Sequence, residues 1–421
     1  MKVQLGMVFR RPILAFMHEV DLSAYEGREQ AYIKHCLLEE YLPEWGYKVG
    51  SQWDSLVYVD GFAGPWETTM PNYADSSFGV AVTALGRVAT ALGDNHGRNL
   101  NVRCILIEQD KEAFGKLKSY ADSFKQPRFS VEPLCGEFVD QLSTITHLAR
   151  QTGQNPFKFL FLDPKGWSDI PMQPLSAVLK DRSCEVLINL MTRHIIRFLD
   201  QPDRAQSYHE LFGRSDVLPQ LQSAPNEERA DMAVREYCRS LRKVCGFKYV
   251  SSAVILEPNR EDKRYFLVYA TNHPRGVEVF KAAETKAAKL QDHIRYEAKV
   301  QKSGQPQFLF EGPPKSPVAL DLWRKYCEKA KGKVVKRILE SDDSGVAYSQ
   351  LFCEAMAFPL VTPNDLRTWV KVFGCAVEVH LAGSGKRRDP SPEKDDRVYL
   401  KDAERLRDQL PGACPACRAL A

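Results

Sequence analysis

The sequence predicts an α/β protein: a Rossmann-like, seven-stranded, mostly parallel sheet with an antiparallel last strand, followed by a winged-helix-like C-terminal domain. Three observations carry this reading. Five short apolar runs alternate with stretches of helical character between residues 55 and 190. Two more strand-like runs follow, separated by a short link. The last part of the chain then reads as three helices, a strand, a basic loop and a strand.

The strand-like runs are Ser55–Asp60, Val102–Glu108, Arg128–Pro133, Lys158–Asp163 and Cys184–Leu190. Near-continuous apolar runs of this length suit parallel strands covered on both faces. Helical stretches such as Lys111–Phe124 and Gly136–Arg150 lie between them, as right-handed βαβ units require. Ahead of the sheet, Ile33, Leu37, Leu38, Tyr41 and Leu42 recur at helical spacing within Glu29–Trp45. The sixth and seventh runs, Phe247–Glu257 and Arg264–Thr271, are joined only by Pro258–Lys263. A parallel pair needs a crossover of a dozen or more residues, so these two must be antiparallel. Five alternating strands ending in such a hairpin is the arrangement of class I S-adenosylmethionine-dependent methyltransferases, and a plain dinucleotide-binding domain lacks the reversed strand.

At 421 residues the chain is too long for one compact core. The expected division is a helical extension at 1–51, a Rossmann-like domain at 52–302 with a helical insertion at 193–244, a linker at 303–319, a winged-helix-like domain at 320–402 and a tail at 403–421. A hydrophobic content of 44% and a charged content of 27% suit a soluble globular protein. No apolar run approaches the ~20 residues that span a bilayer. Met17-His18-Glu19 interrupts the one run with a basic flank. Neither a signal peptide nor a membrane partner is therefore expected, and a cytoplasmic location follows. The net charge of +4 decides nothing about nucleic acid. Of eleven cysteines, Cys104, Cys135, Cys184 and Cys353 sit singly in apolar stretches and read as buried thiols of a reduced compartment. Cys414 and Cys417 form one C-x-x-C, which cannot alone fill a tetrahedral zinc site, so no metal is expected.

The chemistry-bearing residues fall at strand ends. The first strand runs into Asp60-Gly61-Phe62-Ala63-Gly64, a glycine turn that lets a ligand approach the backbone. In open α/β sheets ligands lie outside the carboxyl ends of the strands. Phe62-Ala63-Gly64 resembles the first motif of DNA and RNA amino-methyltransferases, with Trp66 where a further glycine is usual. Glu108, followed by Gln109, ends the second strand, where a carboxylate can accept both ribose hydroxyls of an adenosine. Gly136, Glu137 and Phe138 follow the third strand at the expected adenine position. Glu137 reads equally as an acid placed near a helix start by the dipole. Asp163-Pro164-Lys165-Gly166-Trp167 ends the fourth strand, where amino-methyltransferases hold the target amine and stack an aromatic on the base. Asp163 is the expected acceptor-binding group, Lys165 a substrate contact beside it, and Trp167 the stacking ring. The cofactor expected from these positions is S-adenosylmethionine.

Lys34–Trp45 (KHCLLEEYLPEW), Tyr58–Gly64 (YVDGFAG), the Ser76-Ser77 region, Phe161–Gly166 (FLDPKG), the Leu187–Asn189 strand and Tyr265–Pro274 (YFLVYATNHP) resemble the three-Cys-motif partner protein family. The likeness covers most of 29–290. It departs from the family at Trp66 and Lys165. It implies a methyltransferase-like fold with loosely defined chemistry. It also implies a bacterial two-gene pairing with a cysteine-motif protein that looks like a radical-SAM, iron–sulfur enzyme. In that setting the chain supplies either catalysis or substrate recognition.

In the C-terminal part, Lys331–Leu339 and Tyr348–Met356 read as helices. Thr362 caps a third with Pro363 at its first position. Ala376–Leu381 and Arg397–Lys401 then pair as strands around a loop holding Lys386, Arg387 and Arg388. Such a basic tip can contact the phosphates of DNA or RNA. Asp389, Glu393, Asp395 and Asp396 offset its charge, which leaves a protein-docking module as the alternative. The leading expectation is a methyltransferase acting on nucleic acid or a partner-presented substrate. A non-catalytic recognition subunit is the second reading, and S-adenosylmethionine cleavage a third.

Overall fold

A computed structural model describes residues 22–25, 28–64, 68–256, 263–303, 317–383 and 389–410. The sequence expectations for Trp66, Lys386, Arg387, Arg388, Cys414 and Cys417 lie outside the described residues.

Seven strands form the main sheet: β1 (Ser55–Asp60), β2 (Asn101–Glu108), β3 (Phe129–Cys135), β4 (Phe157–Leu162), β5 (Cys184–Leu190), β6 (Tyr249–Leu256) and β7 (Lys263–Thr271). Their order is β3-β2-β1-β4-β5-β7-β6. β1 to β5 pair in parallel, and β7 is antiparallel to both β5 and β6. This is the class I methyltransferase arrangement of the Rossmann-like sheet. The reversed strand arises because only six residues separate β6 from β7, too few to cross over. Every residue of β1, β4, β5 and β6 is buried, as strands covered on both faces should be.

Helices α1 (Glu29–Gly50), α2 (Ser77–His96), α3 (Lys111–Ser123), α4 (Leu142–Thr152) and α5 (Met172–Leu179) surround the first five strands. α1 packs on α2 through Leu85 and Val88, which crowd Gly46 of α1. It buries Tyr41 against the sheet, where the Tyr41 hydroxyl donates to Glu185 at 2.6 Å and meets the Tyr269 hydroxyl at 2.8 Å. It is therefore built into the core rather than appended to it. After β5 come α6 (Thr192–Arg197), α7 (Ala205–Phe212), α8 (Val217–Ser223) and α9 (Asn226–Lys243), the helical stretch expected at 193–244.

α10 (Pro274–Ser303) follows β7, and α11 (Pro317–Leu339) begins the C-terminal unit. α11 is longer than the Lys331–Leu339 helix the sequence suggests. Tyr326, Ala330, Val334 and Ile338 form a buried stripe at intervals of four along α11, which the lysine-rich stretch around Gly332 conceals. Helix α12 (Tyr348–Met356) and helix α13 (Pro363–Val372) follow. Thr362 caps α13 through a capping box with Asp365. β9 (Val377–His380) and β10 (Arg397–Leu400) pair antiparallel, and the two-residue β8 (Val346–Ala347) adds a third strand on the other side of β10. Three helices and a small antiparallel sheet make this unit winged-helix-like.

The unit lies on the outer side of β6. The hydroxyls of Ser251 and Ser252 donate to the carbonyls of Met356 and Ala357 at 2.6 and 2.8 Å. They satisfy carbonyls that end α12 and cover an edge strand. Lys281 and Glu284 of α10 form a fully buried ion pair at 2.9 Å. Lys281 also donates to the Phe358 carbonyl, and Glu284 accepts from the Leu360 amide. At the amino end of β6 the Tyr249 hydroxyl meets the Pro392 carbonyl, and Arg275 pairs with Glu393 at 2.8 Å. Pro392 and Glu393, in the loop between β9 and β10, thus sit at the end of the sheet opposite the strands' carboxyl ends.

Candidate functional site at the strand carboxyl ends

The sheet order reverses between β1 and β4, with β2 and β3 on one side and β4 and β5 on the other. That switch point is where open α/β sheets place ligands. Asp60 ends β1 and is fully buried. Its carboxylate accepts from the Ser77 hydroxyl at 2.6 Å, the Phe62 amide at 3.2 Å and the Tyr58 hydroxyl at 3.3 Å. Burial pushes its pKa up to about 7, against the pull of those three donors, and Asp163 adds a smaller push in the same direction.

A Cβ at Gly61 would stand 2.6 Å from a Leu162 methyl and 3.0 Å from the Phe138 ring, so a larger residue there would push the Leu162 side chain aside. The Ala63 amide donates to the Ile107 carbonyl at 2.8 Å, which folds the Asp60–Gly64 turn over the end of β2. The buried Glu108 carboxylate accepts from the Asp110 amide at 2.6 Å through Oε1. Asp110 in turn caps α3 through the Ala113 amide. The Gly136 amide donates to the Glu108 carbonyl at 3.0 Å, and its φ of +135° is one that glycine tolerates. Phe138 is buried with its ring 5.9 Å from that of Phe62. Gln109 and Glu137 are exposed. Glu137 precedes a short 3-10 turn rather than opening α4, so the expected helix start at 136 is displaced to 142.

On the β4 side, Asp163 lies just past the strand and is partly exposed. It forms an ion pair with Lys34 of α1 and accepts from the Asn189 amide of β5 at 2.6 Å. Lys34 also stands 5.5 Å from the centre of the Tyr265 ring. Its neighbour His35 is buried, which pulls the imidazole pKa down to about 3, with Lys34 adding to the effect. His35 is therefore neutral and bonded to the Tyr25 hydroxyl at 2.8 Å. Lys165 is exposed. Trp167, expected to stack on a substrate base, is only 7% exposed and lies 4.6 Å from the Tyr208 ring of α7. Its packing is that of a core residue holding the helical insertion.

Sequence reasoning missed Lys34, Asn189 and Ser77 as site residues. Lys34 lies 129 positions from Asp163, beyond the reach of local periodicity. An open groove of about 300 Å3 borders Pro171, His209 and Arg214, and a void of about 20 Å3 lies under Tyr326 and Phe358. Neither is lined by Asp60, Glu108 or Asp163. Among the described residues no cluster of three or more His, Cys, Asp or Glu side chains could hold a metal ion, and no helix is long and apolar enough to cross a membrane.

The chain has the architecture of a class I methyltransferase-like Rossmann domain. No protein-family model matches it, and no curated protein matches it.

Proposed function

We propose that the chain binds S-adenosylmethionine across the ends of β1, β2 and β3 and acts as a methyltransferase on nucleic acid or on a partner-presented substrate. The observation that carries this reading is the joining of three strand ends. Ala63 is tied to Ile107 and Gly136 to Glu108, which brings the Asp60–Gly64 turn, the Glu108 carboxylate and the Gly136–Phe138 segment onto one edge. These are the groups a nucleoside amino acid needs. The Asp60–Gly64 turn receives the methionine portion. Glu108, oriented by the Asp110 amide, offers Oε2 to the ribose hydroxyls. Gly136, Glu137 and Phe138 border the adenine, with Gln109 beside them. The sulfonium of the bound cofactor supplies an intrinsically reactive methyl group, so the chain's own work is positioning and exclusion of water.

A second reading is favoured by one observation: both Asp163 oxygens are already engaged, by Lys34 and Asn189. In that reading the chain is a recognition subunit for a three-Cys-motif, radical-SAM-like partner, and its C-terminal unit docks DNA, RNA or protein.

Calorimetric titration with S-adenosylmethionine and S-adenosylhomocysteine tests the cofactor reading. Micromolar binding that Glu108→Ala abolishes is the expected result. No binding of either compound overturns it and leaves the recognition subunit.

A further inference from the structure

The first helix after β5 carries a charged rim, and the role assigned to it here rests on the nucleic-acid part of the proposed function. α6 starts directly after β5, so it stands at the sheet end that holds Asp60, Glu108 and Asp163. β5 lies two strands from β1, about 10 Å across the sheet. One face of α6 is pinned to the core. Thr192, Ile195 and Leu199 are buried, and the Ile195 carbonyl accepts from the Tyr208 hydroxyl. On the other face Arg193 and Arg197 are both exposed. They stand one turn apart, about 6 Å along the helix.

The charges on this rim do not balance. Among the described residues, neither Arg193 nor Arg197 forms an ion pair with a carboxylate. Arg204 and Arg229 face Asp203 and Asp200 at 3.7 and 3.9 Å, close enough to attract but too far to hydrogen-bond. Four arginines against these two aspartates leave the rim positive. The half-buried Phe198 ring supplies an independent observation. The Arg197 guanidinium lies 5.4 Å from its centre and that of Arg204 lies 5.8 Å from it. Two cations drawn to one ring repel each other, and an incoming anion relieves that repulsion.

We propose that this α6 rim is the surface that binds a nucleic-acid strand. Arg193 and Arg197 take phosphates, for which the guanidinium fork is shaped. Phe198 and the guanidinium planes beside it offer flat faces on which a base stacks. That pairing of ring and guanidinium is what singles out nucleic acid. The carboxylates of an acidic protein would use the arginines and leave the ring without a partner. The strand is thereby held on the β5 side of the strand ends, across the sheet from the Asp60 turn.

Labelled single strands of one sequence, made as RNA and as DNA, test this by fluorescence anisotropy with the full chain over a range of salt concentrations. Arg193→Gln combined with Arg197→Gln removes two phosphate contacts. It should weaken binding by about tenfold or more and lower the slope against salt by about 1.4. Phe198→Leu should weaken binding by about fivefold with the slope unchanged. Asp200→Asn combined with Asp203→Asn should tighten binding, and this variant carries the test if the arginine variant fails to fold. Tighter binding of one strand type supports the rim and identifies the polymer. A folded arginine variant with unchanged affinity and slope overturns the rim while nucleic-acid binding itself stands, and so does an aspartate variant that binds no tighter. Failure of the unmodified protein to bind either strand overturns the rim together with the nucleic-acid reading. S-adenosylhomocysteine titrated into the same sample then reports the cofactor reading separately.

Discussion

The Ser77 hydroxyl donates to the Asp60 carboxylate at 2.6 Å, which locks the end of β1 to the first turn of α2. Asp60 is nonetheless held near a pKa of about 7 by burial, well above its value of 3.8 in an unfolded chain. The folded protein therefore binds a proton here that the unfolded chain releases between about pH 4 and 7. This contribution to stability is full below pH 4 and is lost as pH rises through 7. Asp60→Asn should flatten the fall over that window by at most about 1.4 kcal/mol per pH unit. Urea unfolding at several pH values checks this, and parallel pH profiles for the two proteins would contradict it.

The Lys281–Glu284 pair makes a second prediction. Both groups are buried where the C-terminal unit meets α10 and β6, and burial raises the Glu284 pKa. Lys281→Met strands the Glu284 charge and should cost about 3–5 kcal/mol. Adding Glu284→Gln removes that charge and keeps an acceptor for the Leu360 amide, so the double variant should regain part of the loss. A double variant no more stable than Lys281→Met would show that the charge is not what matters.

Trp167 separates a packing role from a substrate role. Its ring fills space against Tyr208. Trp167→Ala should destabilise the fold by about 3–5 kcal/mol, and Trp167→Phe by less, with S-adenosylhomocysteine affinity unchanged in the folded fraction. Unaltered melting of Trp167→Ala would return the residue to the substrate side.

The elements legible in the sequence are those whose burial is continuous. β1 and β5 are bounded as read, because their apolar runs stop where the chain leaves the sheet. The hairpin followed from loop length alone, and the third C-terminal helix from Thr362 and Pro363. Helix α11 was cut short because lysines on its solvent side mask the stripe from Tyr326 to Ile338. β8, two residues long, has no period to read. Within the site, Asp60, Glu108 and Gly136 were visible because position at a strand end is a local property. Lys34 and Asn189 were not. A lysine between Ile33 and His35 looks like a solvated helix residue, and an asparagine inside an apolar strand looks like a substitution in the core. Their meaning lies in a contact made by tertiary folding.

The placement of the β9–β10 loop has a consequence for scale. Arg275–Glu393 and Tyr249–Pro392 hold the described part of that loop near the amino end of β6, whereas Asp60, Glu108 and Asp163 lie at the carboxyl ends of the strands. The eight residues of β6 rise about 26 Å. Under the proposed nucleic-acid reading, a duplex reaching both ends would have to span at least that length, about eight base-pair steps at roughly 3.4 Å each, because β4, β5 and β7 also separate β6 from β1. Under the proposed nucleic-acid reading, a contact near Pro392 and Glu393 and chemistry at the switch point would fall on different stretches of one polymer.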